Sequence, residues 1–354
     1  MTEFPLLERF AYLNAGTLGP LAASTLAAMD ERTRLDHELG RGGRAWYDSV
    51  LELRVRLRSA LAALVAAPAD RLALTDSTTD GCNIVVAGFP FEEGDEVVTT
   101  DAEHPGLLAP LHASGARVRV AEVAAWPTSE ALGRILAALT PRTRLLALSH
   151  VLWTTGQVMP VHELRASTGL PVLVDGAQSV GAIPVEVGEL DFYTVSGQKW
   201  LCGPESTGAL YVREPERLRV ARPTYLSQQA IERDGAFVPK DGALRFDSGW
   251  TSSAALAGLD AALEAAPEDR FALAVRAAAR CRDALAAAGE ELVTEPGQAT
   301  LVTWVARGVP AEAVARLYEC GVIVRELPGT GWLRASCGWW TTDEHVERLV
   351  AGLG

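Results

Sequence analysis

The chain has 354 residues, of which 48% are hydrophobic and 22% charged, a composition that excludes a disordered or collagen-like protein and allows a large core. Its 32 basic and 45 acidic residues give a net charge of −13, which disfavours nucleic acid and anionic membranes as partners. The 5 cysteines are scattered without a CxxC pair, which argues against a disulfide framework and a zinc knuckle, so no metal is expected.

The first residues carry Glu3 and Glu8 and lack the apolar core of a signal peptide. The longest apolar stretch, around residues 60–69, is too short to cross a bilayer. We therefore expect a cytoplasmic protein without a membrane span.

The first elements along the chain are helical. Pro20 favours the start of a helix that runs towards Glu38, and Asp48 is a candidate cap for a second helix that ends near Ala67. The glycine-rich residues 40–44 between them predict a solvated loop.

Short apolar runs then alternate with helical patterns, which predicts an α/β protein. Because several of these runs end in a polar residue, and ligands bind at the carboxyl ends of strands in such sheets, we expect the chemistry there. The predicted strands cover residues 71–75, 96–100, 117–120, 144–149, 172–175, 192–196 and 209–212.

The composition changes near Ser253 to alanine-rich helices at residues 253–266 and 270–288. Two short strand–helix–strand passages up to Ser336 and a final helix from Thr342 follow. This part predicts a smaller α+β domain.

The stretch from Val172 to Val212 carries the strongest chemical signal. One buried strand ends at Asp175, and Lys199 follows another strand 24 residues later. A lysine at a strand end can form a Schiff base with an aldehyde cofactor, and a neighbouring aspartate can keep a pyridinium nitrogen protonated. Together they favour pyridoxal phosphate over a turn cap and a surface lysine.

Several longer strings make the sequence resemble fold-type I pyridoxal-phosphate enzymes of the class V aminotransferase group, which includes the cysteine desulfurases. Within that group it is most similar to the cysteine/cystine C–S lyases. The strings are Tyr12-Leu13-Asn14-Ala15-Gly16, Glu103-His104-Pro105-Gly106, Ser149-His150-Val151-Leu152-Trp153, Thr155-Gly156-Gln157 and Val174-Asp175-Gly176-Ala177-Gln178.

The resemblance implies a seven-stranded, mostly parallel sheet with helices on both faces. The large cofactor domain would span residues 15–250, and residues 1–14 and 251–354 would form the small domain. It also implies a homodimer with shared active sites.

The resemblance further implies how the cofactor is held. His104 would stack on its ring and shuttle protons, and Gln178 would donate to the ring hydroxyl. The hydroxyls and amides of Thr78 and Thr79, at a predicted helix N-terminus, are a ready phosphate site. By analogy Ser196 and Gln198 complete that site, although many relatives carry histidine where Gln198 stands.

Two arginines of the small domain suit the carboxylate of an amino-acid substrate, because guanidinium groups bind carboxylates through two hydrogen bonds. Arg334 matches the family's carboxylate anchor, and Arg325 is a second candidate. Asn14, Ala15 and Gly16 would close the pocket. His150 has no role that the resemblance supplies, and we interpret it as structural.

Three departures from the desulfurases bear on the reaction. Residues 325–333 contain no cysteine where a desulfurase carries its nucleophile, and Trp153 stands in place of the usual asparagine, where it would shape an apolar slot for the leaving group. In relatives a threonine of the neighbouring subunit often reaches the phosphate, and here the corresponding threonine, Thr251, stands one position later in the sequence. We expect β-elimination from cysteine, cystine or a related S-substituted cysteine to pyruvate, ammonia and a thiol or persulfide. A desulfurase, an isopenicillin N epimerase-like enzyme, a lyase for thioether or sulfoxide conjugates and a non-enzymatic binding protein stay open as alternatives.

Overall fold

Helices and strands alternate along most of the computed structural model, which describes residues 3–354. The strands are β1 (Ala11–Tyr12), β2 (Leu72–Thr75), β3 (Glu96–Thr100), β4 (Arg117–Ala121), β5 (Thr143–Ser149), β6 (Val172–Asp175), β7 (Phe192–Ser196), β8 (Gly208–Val212), β9 (Gln228–Ile231), β10 (Phe237–Pro239), β11 (Leu301–Val305), β12 (Val322–Ile323), β13 (Arg325–Leu327) and β14 (Trp332–Ser336). The helices are α1 (Ala23–Leu39), α2 (Arg44–Leu64), α3 (Thr78–Gly88), α4 (Pro105–Ala113), α5 (Ala131–Ala137), α6 (Val161–Thr168), α7 (Ser253–Ala265), α8 (Arg270–Ala287), α9 (Pro310–Glu319) and α10 (Asp343–Ala351).

The central sheet has seven strands in the order β2-β8-β7-β6-β5-β3-β4. Its strands run in one direction except β8, which is antiparallel to both β7 and β2. The predicted α/β fold with a mostly parallel seven-stranded sheet is therefore confirmed. The bounds of β3, β6 and β7 coincide with the predicted ones, because these buried strands are rich in β-branched and aromatic residues.

Both faces of this sheet are covered. In β5, Leu146 and Leu148 face a core built with α2, α5 and α6, while Leu145 and Ala147 face a second core built with α3 and α4. This alternation follows from the two-residue period of a strand, so every second side chain contacts the helices on one side. Because helices cover both faces, a ligand can reach the sheet at the carboxyl ends of the parallel strands.

The C-terminal part forms a separate core. In it, β1 pairs with β12, and β11, β14 and β13 form an antiparallel sheet that packs on α8, α9 and α10. Between residues 301 and 336 there is one strand–helix–strand passage, β11-α9-β12, and a hairpin of β13 and β14 stands in place of the second predicted one. Gly329 and Gly331 both have positive φ angles and allow this tight turn.

Two predicted helix starts are wrong. The first helix begins at Ala23 rather than Pro20, and the second begins at Arg44, so Asp48 lies inside its first turns and pairs with Arg44 instead of capping it. Leu256 and Leu259 of α7 pack into the core of the large sheet. Among residues 3–354, no helix combines the length and apolarity that crossing a membrane requires.

A buried ion cluster fixes the chain between the large sheet and α7. The Asp247 carboxylate accepts from Arg54 at 3.1 Å and from Arg58 at 2.7 and 3.0 Å, and it also accepts from the Leu74 amide. Because the three charged side chains are buried, removing the carboxylate leaves two cations without their counter-charge.

We expect Asp247→Ala to lower the free energy of unfolding by about 3–5 kcal/mol, measured by denaturant titration at fixed protein concentration. Asp48→Ala is the matched control, because it breaks an exposed arginine pair and should change the free energy by less than about 1 kcal/mol. Equal losses in the two variants would contradict this assignment.

Candidate active site

A cavity of about 180 Å³ lies at the carboxyl ends of the parallel strands, where the sequence predicts the chemistry. Its lining consists of Gly16, Thr17, Ser77, Thr78, Thr79, His104, Trp153, Ala177, Gln178, Ser196, Gln198, Lys199 and Arg325. Asn14, Ala15, Asp175 and Arg334 are not part of this lining. Thr251 instead lines an open groove beside Trp46 and Trp250.

One end of the cavity is the N-terminus of α3. Ser77 caps the helix, since its hydroxyl accepts from the Asp80 amide at 3.1 Å, and Thr78 and Thr79 form the first turn. Amides of a first turn have no partner within their helix, so they are available to an anion. The first turn of α4 comes so close that a Cβ on Gly106 would lie 2.4 Å from the Thr79 hydroxyl.

Lys199 follows β7 and carries an amine of altered acidity. Burial lowers its pKa to about 8; the nearby carboxylate of Asp175 opposes this shift, and Arg334 and Arg325 add to it. Asp175 ends β6 and is buried, with Oδ1 accepting from the Ala177 amide at 3.0 Å. A lysine with a substantial neutral fraction near neutral pH is suited to nucleophilic attack and to proton transfer.

His104 caps α4, and its Nδ1 accepts from the Gly106 amide at 3.0 Å, which places the proton of the neutral ring on Nε2. Burial and then the Lys199 cation lower its pKa, so the ring is held neutral. Its ring meets that of Trp153 edge to face, with the centroids 5.2 Å apart. A neutral ring with a fixed tautomer lies at the wall of the cavity.

Glu103 is a buried acid that the sequence reasoning missed, although it stands in the same string as His104. Its carboxyl accepts from the Thr100 hydroxyl at 2.6 Å and from the Ser149 amide at 2.9 Å, so it joins the ends of β3 and β5. Burial raises its pKa to about 7. Glu103 therefore fixes the position of the segment that carries His104.

Arg334 on β14 is fully buried. Its Nη1 donates to the Trp153 carbonyl at 2.6 Å, while its Nε and Nη2 have no hydrogen-bond partner among residues 3–354. Burial, with a smaller contribution from Arg325, lowers its pKa to about 9. Unsatisfied buried donors are costly, and a bound carboxylate would satisfy both of them.

Arg325 stands opposite Arg334 in the β13–β14 ladder and is held from the N-terminal segment. Its Nη1 donates to the Thr17 hydroxyl at 2.9 Å, and that hydroxyl donates to the Asn14 side chain at 2.8 Å. The guanidinium carbon lies 5.9 Å from the Trp153 ring centroid. Thr17 was missed from the sequence, because its partner is 308 residues away along the chain.

Glycine is required at position 16 because the backbone there passes close to the guanidinium of Arg334. A Cβ at this position would lie 2.6 Å from Nη2 of Arg334 and 2.9 Å from the Ser336 hydroxyl. Any side chain would therefore displace the guanidinium. Ala15 is fully buried, and Asn14 forms a backbone bridge to Ser336. Residues 14–16 are therefore held against β14, where they cover Arg334.

No cysteine is part of the cavity lining. Cys82, Cys202, Cys281 and Cys337 are buried, Cys320 is exposed at the end of α9, and none of them lines the cavity. Burial raises the pKa of the Cys82 and Cys202 thiols, so these groups are poor nucleophiles.

Residues 23–349 match the family described as aminotransferase class-V. A probable cysteine desulfurase of Xylella fastidiosa (strain 9a5c) is 28% identical, over 99% of this chain and 93% of its own. An isopenicillin N epimerase of Streptomyces clavuligerus is 30% identical, over 84% and 82%.

A solved structure of the cystine C–S lyase C-DES with its reaction product cysteine persulfide superimposes with a TM-score of 0.92 and 30% identity, over 99% of this chain and 98% of the other. A C-DES variant with a lysine replaced by alanine and glycine covalently linked to the PLP cofactor superimposes equally well, with a TM-score of 0.92.

Proposed function

The chain belongs to the class V aminotransferase family of pyridoxal-phosphate enzymes, and from this membership we propose that it is a C–S β-lyase. Its substrate is cysteine, cystine or a related S-substituted cysteine, and its products are pyruvate, ammonia and a thiol or persulfide. The proposal depends on three features that occur together at one site. They are a buried lysine of lowered pKa, a buried arginine with two unsatisfied donors, and a cavity lining without a thiol.

The cavity fits pyridoxal phosphate in its donor set. The first-turn amides of Thr78 and Thr79, with Ser196 and Gln198, would hold the phosphate, and Lys199 would hold the aldehyde covalently. Asp175 would hold the ring nitrogen in its protonated form. When bound, the cofactor withdraws electrons from the substrate's α-carbon.

The side chains of this protein orient the substrate and move its protons. Arg334 binds the α-carboxylate through Nε and Nη2, and Trp153 forms the apolar wall against which the sulfur-bearing group lies. When it is no longer joined to the aldehyde, the Lys199 amine, neutral in a substantial fraction near pH 8, removes the α-proton. His104 presents its Nε2 proton at the wall of the cavity, where the departing sulfur can accept one.

The missing thiol distinguishes this reaction from that of a desulfurase. Sulfur transfer requires a cysteine thiolate that attacks the substrate sulfur, and residues 325–333 at the cavity carry none. Elimination instead breaks the bond between the β-carbon and sulfur, the sulfur leaves with the bonding electron pair, and water completes the conversion to pyruvate and ammonia.

A product assay with cystine, cysteine and S-substituted cysteines tests the proposal. We expect pyruvate to equal the sulfur product released, because elimination forms the two together. Alanine in place of pyruvate would establish a desulfurase, and a D-amino acid without pyruvate would establish an epimerase. A protein that stays colourless when cofactor is added would contradict the scheme as a whole.

The proposal includes a homodimer with shared active sites, in the cytoplasm. Thr251 lies outside the cavity of its own chain, in an open groove, and we assign it to the phosphate of the partner subunit's site. We also place the domain boundary after α7 rather than at residue 250, because α7 packs into the core of the large sheet. Residues 1 and 2 of the predicted small domain lie outside the described residues.

A further inference from the structure

The side-chain amide of Gln178 is held at both of its ends. Its Nε2 donates to the Gly16 carbonyl at 2.9 Å, and its Oε1 accepts from the indole Nε1 of Trp200 at 2.9 Å. Both side chains are buried, with Trp200 only 2% and Gln178 4% exposed. Gln178 lines the cavity, whereas Trp200 lies behind that lining, next to Lys199 in the chain.

These two partners fix which way the amide faces. An indole N–H can only donate and a backbone carbonyl can only accept, so each partner alone specifies the same orientation. Turning the amide over would leave a donor facing a donor and an acceptor facing an acceptor in a buried place. One N–H of Nε2 is used by Gly16, and the second one is free to donate.

We propose that Trp200 is a positioning residue that acts through Gln178. Its indole N–H keeps the Gln178 amide turned so that the cavity meets an N–H donor rather than a carbonyl acceptor. The inference rests on the proposed function, because the orientation of the Gln178 amide alters the properties of bound pyridoxal phosphate. The same amide holds the carbonyl of Gly16, which packs on the Arg334 guanidinium, so Trp200 also supports the cover of the carboxylate site.

The test compares Trp200→Phe with the unaltered protein, both loaded with pyridoxal phosphate. A donor held beside the cofactor favours its more negative form, so loss of that donor raises the pH midpoint of the visible absorption band. We expect a rise of about half a unit to one unit and a cofactor dissociation rate about three-fold to ten-fold faster, as for one lost hydrogen bond.

Trp304→Phe is the matched control. Trp304 is also fully buried, but its indole N–H has no hydrogen-bond partner among residues 3–354 and it belongs to the core of the small domain. This variant loses the same side-chain volume without losing a hydrogen bond. We expect its pH midpoint and its cofactor dissociation rate to equal those of the unaltered protein.

The route through Gln178 is tested by combining substitutions. If Trp200 acts only through that amide, Trp200→Phe adds no further shift in a Gln178→Leu background. An equal shift in both backgrounds, or none in either, overturns the inference. A visible band that is present but unshifted leaves the proposed function intact, whereas absence of any band in the unaltered protein overturns the proposed function itself.

A second measurement uses Gln178→Leu alone and applies even where Trp200→Phe does not fold. Hydrogen exchange of the Trp200 indole is expected to be slow in the unaltered protein and much faster in Gln178→Leu, because the acceptor is lost. Exchange at the same rate in both proteins would overturn the inference.

Discussion

Lys199→Ala is expected to abolish turnover and the visible absorption band of cofactor that is bound through lysine, recorded after unbound cofactor has been removed. The amine that would hold the cofactor is also the base that removes the α-proton, so its loss removes two functions at once. We expect turnover of cystine or cysteine to fall at least about 10³-fold. The measurements are the absorption spectrum after addition of pyridoxal phosphate and the rate of pyruvate formation.

The sequence supplies an unusually clean control, because the chain contains only two lysines, Lys199 and Lys240. Lys240 directly follows β10, and its backbone amide donates to the Ser227 carbonyl. It does not line the cavity. Lys240→Ala should keep the band and the activity. Borohydride reduction of the loaded protein followed by digestion should mark the peptide of Lys199, and a label on Lys240 would contradict the assignment.

The rate at which the protein takes up cofactor is expected to increase with pH. Only a neutral amine attacks an aldehyde, and burial lowers the pKa of Lys199 to about 8. The rate of reconstitution should therefore rise with pH through about 8 and level off above it. A rate that continues to rise towards the pKa of an ordinary lysine would show that the amine is not buried as described.

Most of the sheet and the chemical core of the site follow from the sequence. Apart from the edge strand β4, each large-sheet strand is buried and bounded by turns, so its position is encoded locally. Asp175 ends one such strand and Lys199 shortly follows another, and for this reason strand prediction also located them. The helix starts at Ala23 and Arg44 were missed because extended Ala22 and Gly43 precede them, and neither caps its helix through a side chain.

The groups that hold the site together were not predictable in the same way. Thr17 and Arg325, or Gln178 and Gly16, are joined by single hydrogen bonds between segments that are remote in the chain, and nothing in either segment specifies the other. Two short strands carrying Arg325 and Arg334 were predicted, but not their pairing as a hairpin, because strands of 3 and 5 residues carry too short a pattern to fix it. Local pattern locates chemical groups, whereas tertiary packing decides which of them are satisfied.

Arg334→Met is expected to weaken substrate use severely while it stabilises the protein. Without substrate, a buried cation with two unsatisfied donors is a burden on folding, and a methionine of similar shape removes it. We expect the free energy of unfolding to rise by about 1 kcal/mol.

With the carboxylate anchor gone, kcat/KM for cysteine or cystine should fall about 10²-fold to 10³-fold, because charge-assisted hydrogen bonds contribute about 1.5–3 kcal/mol each. The visible band should still form, since Arg334 is not part of the cavity lining and is not assigned to hold the cofactor.

Arg334→Lys separates the charge of this residue from its shape. It keeps a buried cation but loses the planar fork, so we expect the loss of kcat/KM without the gain in stability. Denaturant titration and steady-state kinetics on the same preparations measure both quantities. If Arg334→Met were instead destabilised as strongly as Asp247→Ala, the bond from Nη1 to the Trp153 carbonyl would be the main role of this arginine, and the carboxylate would have to be bound elsewhere. The opposite signs expected for Asp247→Ala and Arg334→Met follow from one difference: the buried arginines around Asp247 have their counter-charge within the chain, and Arg334 receives its own only from the substrate.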